Sequence, residues 1–506
     1  MTTIDREYPF TRAQPATRNA TALGWLILTL LFALAILLRH LVAANTDVSW
    51  LLIAGERVLD GKHLYRDIIE TNPPMAVLTY IPGILIARVL GISAETAIDG
   101  LVLAATVTSL ALTARILRHS SVLDGIHRWP MLILAVALLT VMPTEAFAQR
   151  EHIAVLGLLP AIAVLAMRVR SERPSRWMVL VAGLSLGFAM SFKPHFAVAV
   201  LIALCIIAAS VRSWRIFVTP ENVIAAVLVG VYVAATAIFF PEYFTVIGPL
   251  ARDVYVPIGT PFAEMLMKPA VPLWGLASIA AVVLMRGRLR ETPFLVVSAL
   301  SVGFAAIFFL QRKGWPYHSY PMMVFAFLAL GLGIGAWFDR AGRGNALMVG
   351  TVLLAFLALF IRAMSWFDYA FDARVLQAEV ARYGRNQTIM AISGEGGLGH
   401  PLTRAIGATW GSREQNLWIN AHYRYLRKHG SPDPQTAAKL DAYAALERQW
   451  LIADFHAARP TVVLVDNLTD DWGGWLRSHS DVAGLLDNYR LVETFKGIDI
   501  MVRRTD

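Results

Sequence analysis

The chain has 506 residues, of which 57% are hydrophobic and only 16% charged, above the roughly 45–50% apolar usage of soluble domains. That balance excludes an ordinary soluble domain and points to a polytopic membrane protein. The net charge of +9 does not indicate nucleic acid as a partner, because much of the Arg sits in short clusters between apolar runs, where cytoplasmic loops carry it. A single Cys205 allows no intramolecular disulfide.

In chain order, residues 1–22 are polar and Arg-bearing and are expected on the cytoplasmic side. The apolar run that follows, 23–44, is longer than the 7–15 residues of a signal-peptide core, so it is read as a retained first span. Runs of about 17–25 apolar residues can cross the bilayer as helices. About eleven are predicted, at 23–42, 97–117, 129–147, 153–167, 177–192, 196–211, 223–240, 271–285, 294–310, 317–337 and 346–361. The run PPMAVLTYIPGILIARVLG from Pro73 is interrupted by Pro82 and Gly83. Treating it as interfacial or re-entrant puts the clusters RILRHSSVLDGIHR, RVRSERPSR, RSWR, RGRLR and DRAGRG on the cytoplasmic side, as the positive-inside rule asks. The outer side then receives a first loop of about 44–96, the connections PTEAFAQREHI, SFKPHF and LQRKGWPYHSYP, a long loop after Phe240, and the polar residues 365–506.

That C-terminal region is expected to form a small extramembrane α/β domain. NQTIMAIS and RPTVVLVDN are predicted as strands, 441–457 as a helix, and YRLVETFKGIDIMVRR as a hairpin turning at Lys496-Gly497. The fold class is thus an all-α polytopic membrane domain, 23–364, followed by this domain.

Four outer segments carry candidate chemistry. Asp47 surfaces at the end of the first span, where a partly desolvated carboxylate can orient a hydroxyl, take its proton or ligate a cation; it is equally placed to N-cap the helix VSWLLIAGERVL. Residues 48–59 suit an amphipathic helix lying on the membrane. Tyr65 follows, and Asp67 and Glu70, three apart, would share a face of a helix. Glu151 stands among Gln149, Arg150 and His152 at a span entrance, with Glu145 as a rival; a charge there is functional or internally paired. Lys193, in SFKPHF, is an ammonium between two apolar runs with almost no loop, suited to a lipid-linked phosphate or to snorkelling toward headgroups. Finally, Arg312, Lys313, Trp315, Tyr317, His318 and Tyr320 are compressed against a span, a set that suits a phosphate and a sugar ring. Phosphate-binding glycine loops, zinc spacings and serine-hydrolase motifs are absent from the sequence.

The order of these features resembles the GT-C superfamily of membrane glycosyltransferases, in the branch of protein O-mannosyltransferases and the lipid A aminoarabinose transferase. The carriers are Asp47 at the end of the first span, G-x-x-L-Y and N-P-P in the first outer loop, Glu151 between the third and fourth spans, the Lys193 junction, and the late K-x-x-x-Y-H-x-Y-P. The resemblance implies a polyprenyl-phosphate-linked sugar as donor and a glycan, lipid or protein hydroxyl as acceptor, in the inner (plasma) membrane with the C-terminal domain periplasmic or extracellular. It implies Asp47 as catalytic carboxylate and Glu151 as its helper, with Lys193, Arg312 or Lys313, and His318 on the donor phosphate; Arg150, Tyr65, Asp67, Glu70 and Tyr317 are further substrate-binding candidates. The acidic pair departs from the pattern of many relatives, so metal dependence stays open, with Asp47 and Glu151 as ligands if Mg2+ or Mn2+ is used. A saccharide transporter or flippase, a lipid-phosphate transferase and a non-catalytic envelope-assembly subunit are the rival readings.

Overall fold

The computed structural model describes residues 18–42, 44–118, 120–341, 346–369, 374–430 and 432–504. The N-terminal segment expected on the cytoplasmic side therefore falls outside the described residues as far as residue 17. The chain divides into two compact units. The first holds the described parts of Met1–Val42, Asp99–Tyr232 and Thr260–Tyr369, and the second those of Ala43–Ile98, Val233–Gly259 and Ala370–Asp506.

Eight helices among the described residues are long and apolar enough to cross a membrane: Asn19–Leu41, Ala94–Leu117, Arg150–Val169, Pro194–Val211, Pro220–Phe239, Thr292–Gln311, Pro316–Arg340 and Ala346–Phe367. Arg128–Val141, Arg176–Ser191 and Ala270–Leu284 are apolar but shorter. Each of these helices overlaps one predicted span. The interrupted run is a further apolar stretch, Met75–Leu90, broken at Thr79-Tyr80 into Met75–Leu78 and Ile81–Leu90.

Small residues let the helices of the first unit approach closely, as they do where lipid offers no hydrophobic drive to associate. A Cβ at Gly183 would lie 2.6 Å from the Ile224 Cβ and one at Gly187 2.8 Å from the Leu228 Cδ2, so Arg176–Ser191 seats directly on Pro220–Phe239. Polar groups gather at both ends of the helices. At the Arg-rich end, Arg168 forks onto Glu221 with two bonds of 3.0 Å, Arg288 meets Glu291 at 3.1 Å and His127 meets Asp339 at 2.9 Å.

The second unit is built on a five-stranded sheet of order β2-β1-β3-β5-β4, with β1 Thr388–Ile392, β2 Thr409–Trp410, β3 Val462–Asp466, β4 Tyr489–Phe495 and β5 Ile498–Arg503. Strands β1, β2 and β3 are parallel, whereas β5 pairs antiparallel with β3 and β4. Every residue of β3 is buried, as a continuous apolar run in a parallel centre requires. Lys496 (φ 47°) and Gly497 (φ 83°) both take the left-handed conformation that a two-residue hairpin turn of the right twist demands. The helix Pro434–Ala458 starts with Asp433 accepting from the N–H groups of Gln435 and Thr436, both at 3.0 Å, and Pro434 at its first position.

Three expectations for the first outer loop need correction. The cap of the helix Thr46–Leu59 is Asn45, whose side chain accepts from the N–H of Asp47 at 2.9 Å and of Val48 at 3.4 Å; Asp47 sits inside the first turn. The helix is not a surface-lying amphipath, since Val48 through Gly55 are all buried. Residues 63–70 form turns and short bridges, with Leu64 bridging Ile68 and Ile69 bridging Glu414, so Asp67 and Glu70 share no helix face. Backbone pairing to Arg413, whose carbonyl accepts from Ile69 at 2.8 Å, outcompetes the local helix.

Candidate active site

In the first unit, the entrance to Arg150–Val169 is built by an unusual backbone. Residues Ala137–Val141 form a π turn, with the Met142 N–H reaching back to the Ala137 carbonyl at 2.9 Å, and such turns expose carbonyls to other donors. The Leu138 carbonyl takes the Tyr320 hydroxyl at 2.9 Å, and the Leu139 carbonyl takes His152 Nε2 at 2.8 Å. His152 Nδ1 then accepts from the Ala148 N–H at 3.1 Å, which assigns the proton to Nε2. Thr144 (φ 41°) and Ala148 (φ 61°) are left-handed without being glycine, a strained conformation held by its surroundings. Glu145 accepts from the Tyr369 N–H at 3.0 Å and so anchors this turn.

Glu151, one residue into the helix, meets Lys193 and His318. Pro194 opens the next helix, and a residue before proline is pushed to extended backbone; Lys193 has φ −150° and ψ 134°. Its Nζ lies 2.6 Å from Glu151 Oε1 and 3.4 Å from His318 Nε2, and 5.5 Å from the Tyr317 ring centroid. His318 Nε2 is 3.7 Å from the same carboxylate oxygen. Exposure is 1% for Glu151 and 5% for Lys193 and His318, so all three are withdrawn from bulk water. With the ammonium donating to Nε2, His318 is neutral and carries its proton on Nδ1. Among the described residues neither that Nδ1 nor Glu151 Oε2 has a hydrogen-bond partner.

Arg150 is buried beside this group, and both it and Lys313 are within electrostatic reach of His318. Burial lowers the Lys313 ammonium to about 8. Arg312 does different work: left-handed at φ 53°, it ends its helix, and its Nε donates to the Thr260 carbonyl at 3.1 Å.

The remaining sequence candidates belong to the second unit. The Tyr65 hydroxyl donates to the Asn72 carbonyl at 2.7 Å, with its ring 5.3 Å from that of Tyr243. Asp67 accepts from the His63 N–H at 2.8 Å. Glu70 is buried and accepts from Trp50 Nε1 at 2.6 Å and from the Asn72 backbone and side chain at 2.7 and 2.6 Å. These bonds shape the loop. Asp47 is half-buried at the start of Thr46–Leu59, its N–H held by Asn45. The structure thus brings together Glu151, Lys193, Tyr317 and His318, and it makes Glu151 and Lys193 one ion pair where the sequence suggests two separate groups.

Sequence reasoning missed the buried and half-buried charges of the second unit. Arg404 bridges Glu56 at 2.6 Å and Glu95 at 2.5 Å. Arg413 grips Asp454 at 2.7 and 2.9 Å. Glu447 accepts three N–H bonds of 2.7 Å from Ile419 and Asn420, yet burial still lifts it to about 7. Burial, with the neighbouring carboxylates of Glu447 and Asp454, holds Glu414 well above the usual range. No spacing of ligand types marks this cluster in the sequence. Among the described residues no three His, Cys, Asp or Glu are placed to hold a metal ion.

No protein-family model matches the sequence, and no curated protein matches it. Solved structures do match. The crystal structure of ArnT from Cupriavidus metallidurans in the apo state aligns with TM-score 0.57 at 12% identity, covering 95% of this chain and 98% of that one. The same protein bound to undecaprenyl phosphate aligns with TM-score 0.56 at 13% identity, covering 96% and 98%. The chain therefore shares the fold of these ArnT structures along nearly its whole length.

Proposed function

We propose that this protein is a membrane glycosyltransferase that moves a sugar from a polyprenyl-phosphate-linked donor to a hydroxyl acceptor on an envelope glycan, glycolipid or protein. The observation that carries the reading is the buried Lys193–Glu151–His318 group at a helix junction. A buried ion pair stabilises a fold weakly, because desolvation offsets its Coulomb energy. Keeping one with an open donor, His318 Nδ1, beside it suits an anion that arrives from the lipid. The shared fold supports the same reading, since one ArnT structure was solved with undecaprenyl phosphate.

In this account Lys193, His318, Arg150 and Lys313 hold the donor phosphate, and Glu151 fixes the Lys193 ammonium in place. Asp47 accepts the acceptor's hydroxyl proton as its oxygen bonds to the anomeric carbon. The bond from that carbon to the phosphate oxygen breaks on the opposite face, so configuration inverts and polyprenyl phosphate leaves as an anion. Fixed cations on the leaving group supply the larger electrostatic share, and the general base adds typically 10²–10⁴-fold. The reaction side is the outer face, with the Arg-rich loops cytoplasmic.

The test uses the full-length protein in membranes of a strain lacking it, supplied with a radiolabelled pool of polyprenyl-phosphate sugars. Asp47→Asn is expected to fold, bind donor and transfer no label. Wild-type turnover by that variant overturns the assignment of the base.

A further inference from the structure

The helix that carries Asp47 is held by the C-terminal part of the second unit along its length. At its start, the Thr46 hydroxyl donates to the His400 carbonyl at 3.2 Å. Next comes Trp50, whose ring centroid lies 5.6 Å from that of His400, which is itself 4.8 Å from Trp410. In its last turn, Arg57 donates to the Ser412 carbonyl at 2.6 Å and to the carbonyl of Trp410. Glu56 receives Arg404.

The Gly-rich segment 395–400, EGGLGH in the sequence, is shaped for this contact. A Cβ at Gly399 would lie 2.7 Å from the Trp410 ring and one at Gly396 3.0 Å from the Gln415 side chain, so the chain approaches its neighbours at a distance only glycine allows. A Cβ at Gly397 would come within 3.8 Å of Thr46 Oγ1. His400 is fully buried, and burial lowers it to about 3, so it stays a neutral packing group.

We infer that the 396–400 segment is a positioning element for the reaction, fixing the Asp47 carboxylate through the Thr46–His400 hydrogen bond and the Trp50–His400–Trp410 stack. This rests on the reading of Asp47 as the base. Asp47 is pinned on two sides: Asn45 holds its own N–H, and the preceding residue is tied to a separate part of the chain 354 positions away. A general base must sit within hydrogen-bond reach of the proton it takes, and small displacements cost large factors in rate. Thr46 is therefore a positioning residue, touching no substrate itself.

The experiment compares Thr46→Val, Thr46→Ser and Asp47→Asn in the full chain, with the same labelled donor pool. Loss of one neutral hydrogen bond is expected to lower the maximal rate of Thr46→Val about fivefold to tenfold. The apparent KM for the donor pool and the thermal midpoint should stay at wild-type values, amide exchange of peptide 44–52 should rise, and Thr46→Ser should restore both rate and exchange. A merely structural role would move the midpoint with the rate and leave the split between rate and KM undefined by Ser. If Thr46→Val runs at the wild-type rate while Asp47→Asn is inactive, the positioning role is wrong and the catalytic reading survives; if Asp47→Asn itself turns over normally, the reading beneath it fails. Should Thr46→Val not fold, Thr46→Cys, of similar size with a weak donor, is read against the same outcomes.

Discussion

Charge drawn away from bulk water is used differently in the two units. In the second, Arg404 spends its guanidinium on Glu56 and Glu95, Arg413 closes on Asp454, and Glu447 collects three N–H donors. Most of that polar capacity is used within the protein, which is what buried groups need when their task is to hold segments together. At the start of Arg150–Val169 the pairing stops short: Lys193 reaches Glu151 and His318, and each of those two keeps an atom without a hydrogen-bond partner among the described residues. Open atoms also remain in the second unit, at Glu414 Oε1 and Asn420 Oδ1, both acceptors; the group around Lys193 instead sets an ammonium beside the open ring nitrogen of His318, which is what a ligand's anionic oxygens require.

The largest effect that would break this contrast comes from Lys193→Met. It leaves Glu151 buried without its cation, so transfer is lost and stability falls by about 3–5 kcal/mol. The double variant Glu151→Gln/Lys193→Met should recover most of that stability in chemical denaturation and still transfer nothing; recovery of both would make the pair architectural. Next, Arg404→Met opens a closed network in the second unit and should cost about 1–3 kcal/mol, with undecaprenyl phosphate affinity unchanged in a fluorescence titration.

The acidic cluster sharpens the comparison through pH. Glu414 and Glu447 titrate above their ordinary values when folded, so the folded state binds more protons than the unfolded state between the usual carboxylate range and about 7. Stability is therefore full below about 4.5 and falls as pH rises through 7. Thermal midpoints across that window should decline for the wild type, and Glu414→Gln should flatten the decline. The smallest effect concerns Lys313, whose ammonium is present below about 8 and lost above it. Undecaprenyl phosphate binding should weaken by a factor of about 2–5 as pH rises past that value, the share of one rim charge of about 0.5–1 kcal/mol, and Lys313→Arg should remove the dependence.

Much of the fold was legible because its causes are local. Apolar runs announce helices, Lys496-Gly497 announces a hairpin, and Pro194 dictates the extended Lys193. What escaped depends on distance or on competing partners. Asn45 and Asp47 are both good caps, and only the backbone geometry chooses Asn45. The 63–70 segment reads as helix or turn until Arg413 supplies a partner for Ile69. Strand β2 is two residues long, too short to carry a period. Glu414 and Glu447 look like surface acids in sequence, since nothing local says that their helix and bridge will be buried. The Lys193 junction was visible as a charge without a loop, but its partner lies 42 residues away, and no spacing rule reaches that far.

The most direct test of the central claim is the affinity of the full-length protein for undecaprenyl phosphate, measured by native mass spectrometry for the wild type and for Glu151→Gln/Lys193→Met. The account predicts a saturable site in the wild type and at least about tenfold weaker binding in the double variant, as expected for a charge-assisted contact worth about 1.5–3 kcal/mol. Equal affinity in a folded double variant would contradict it.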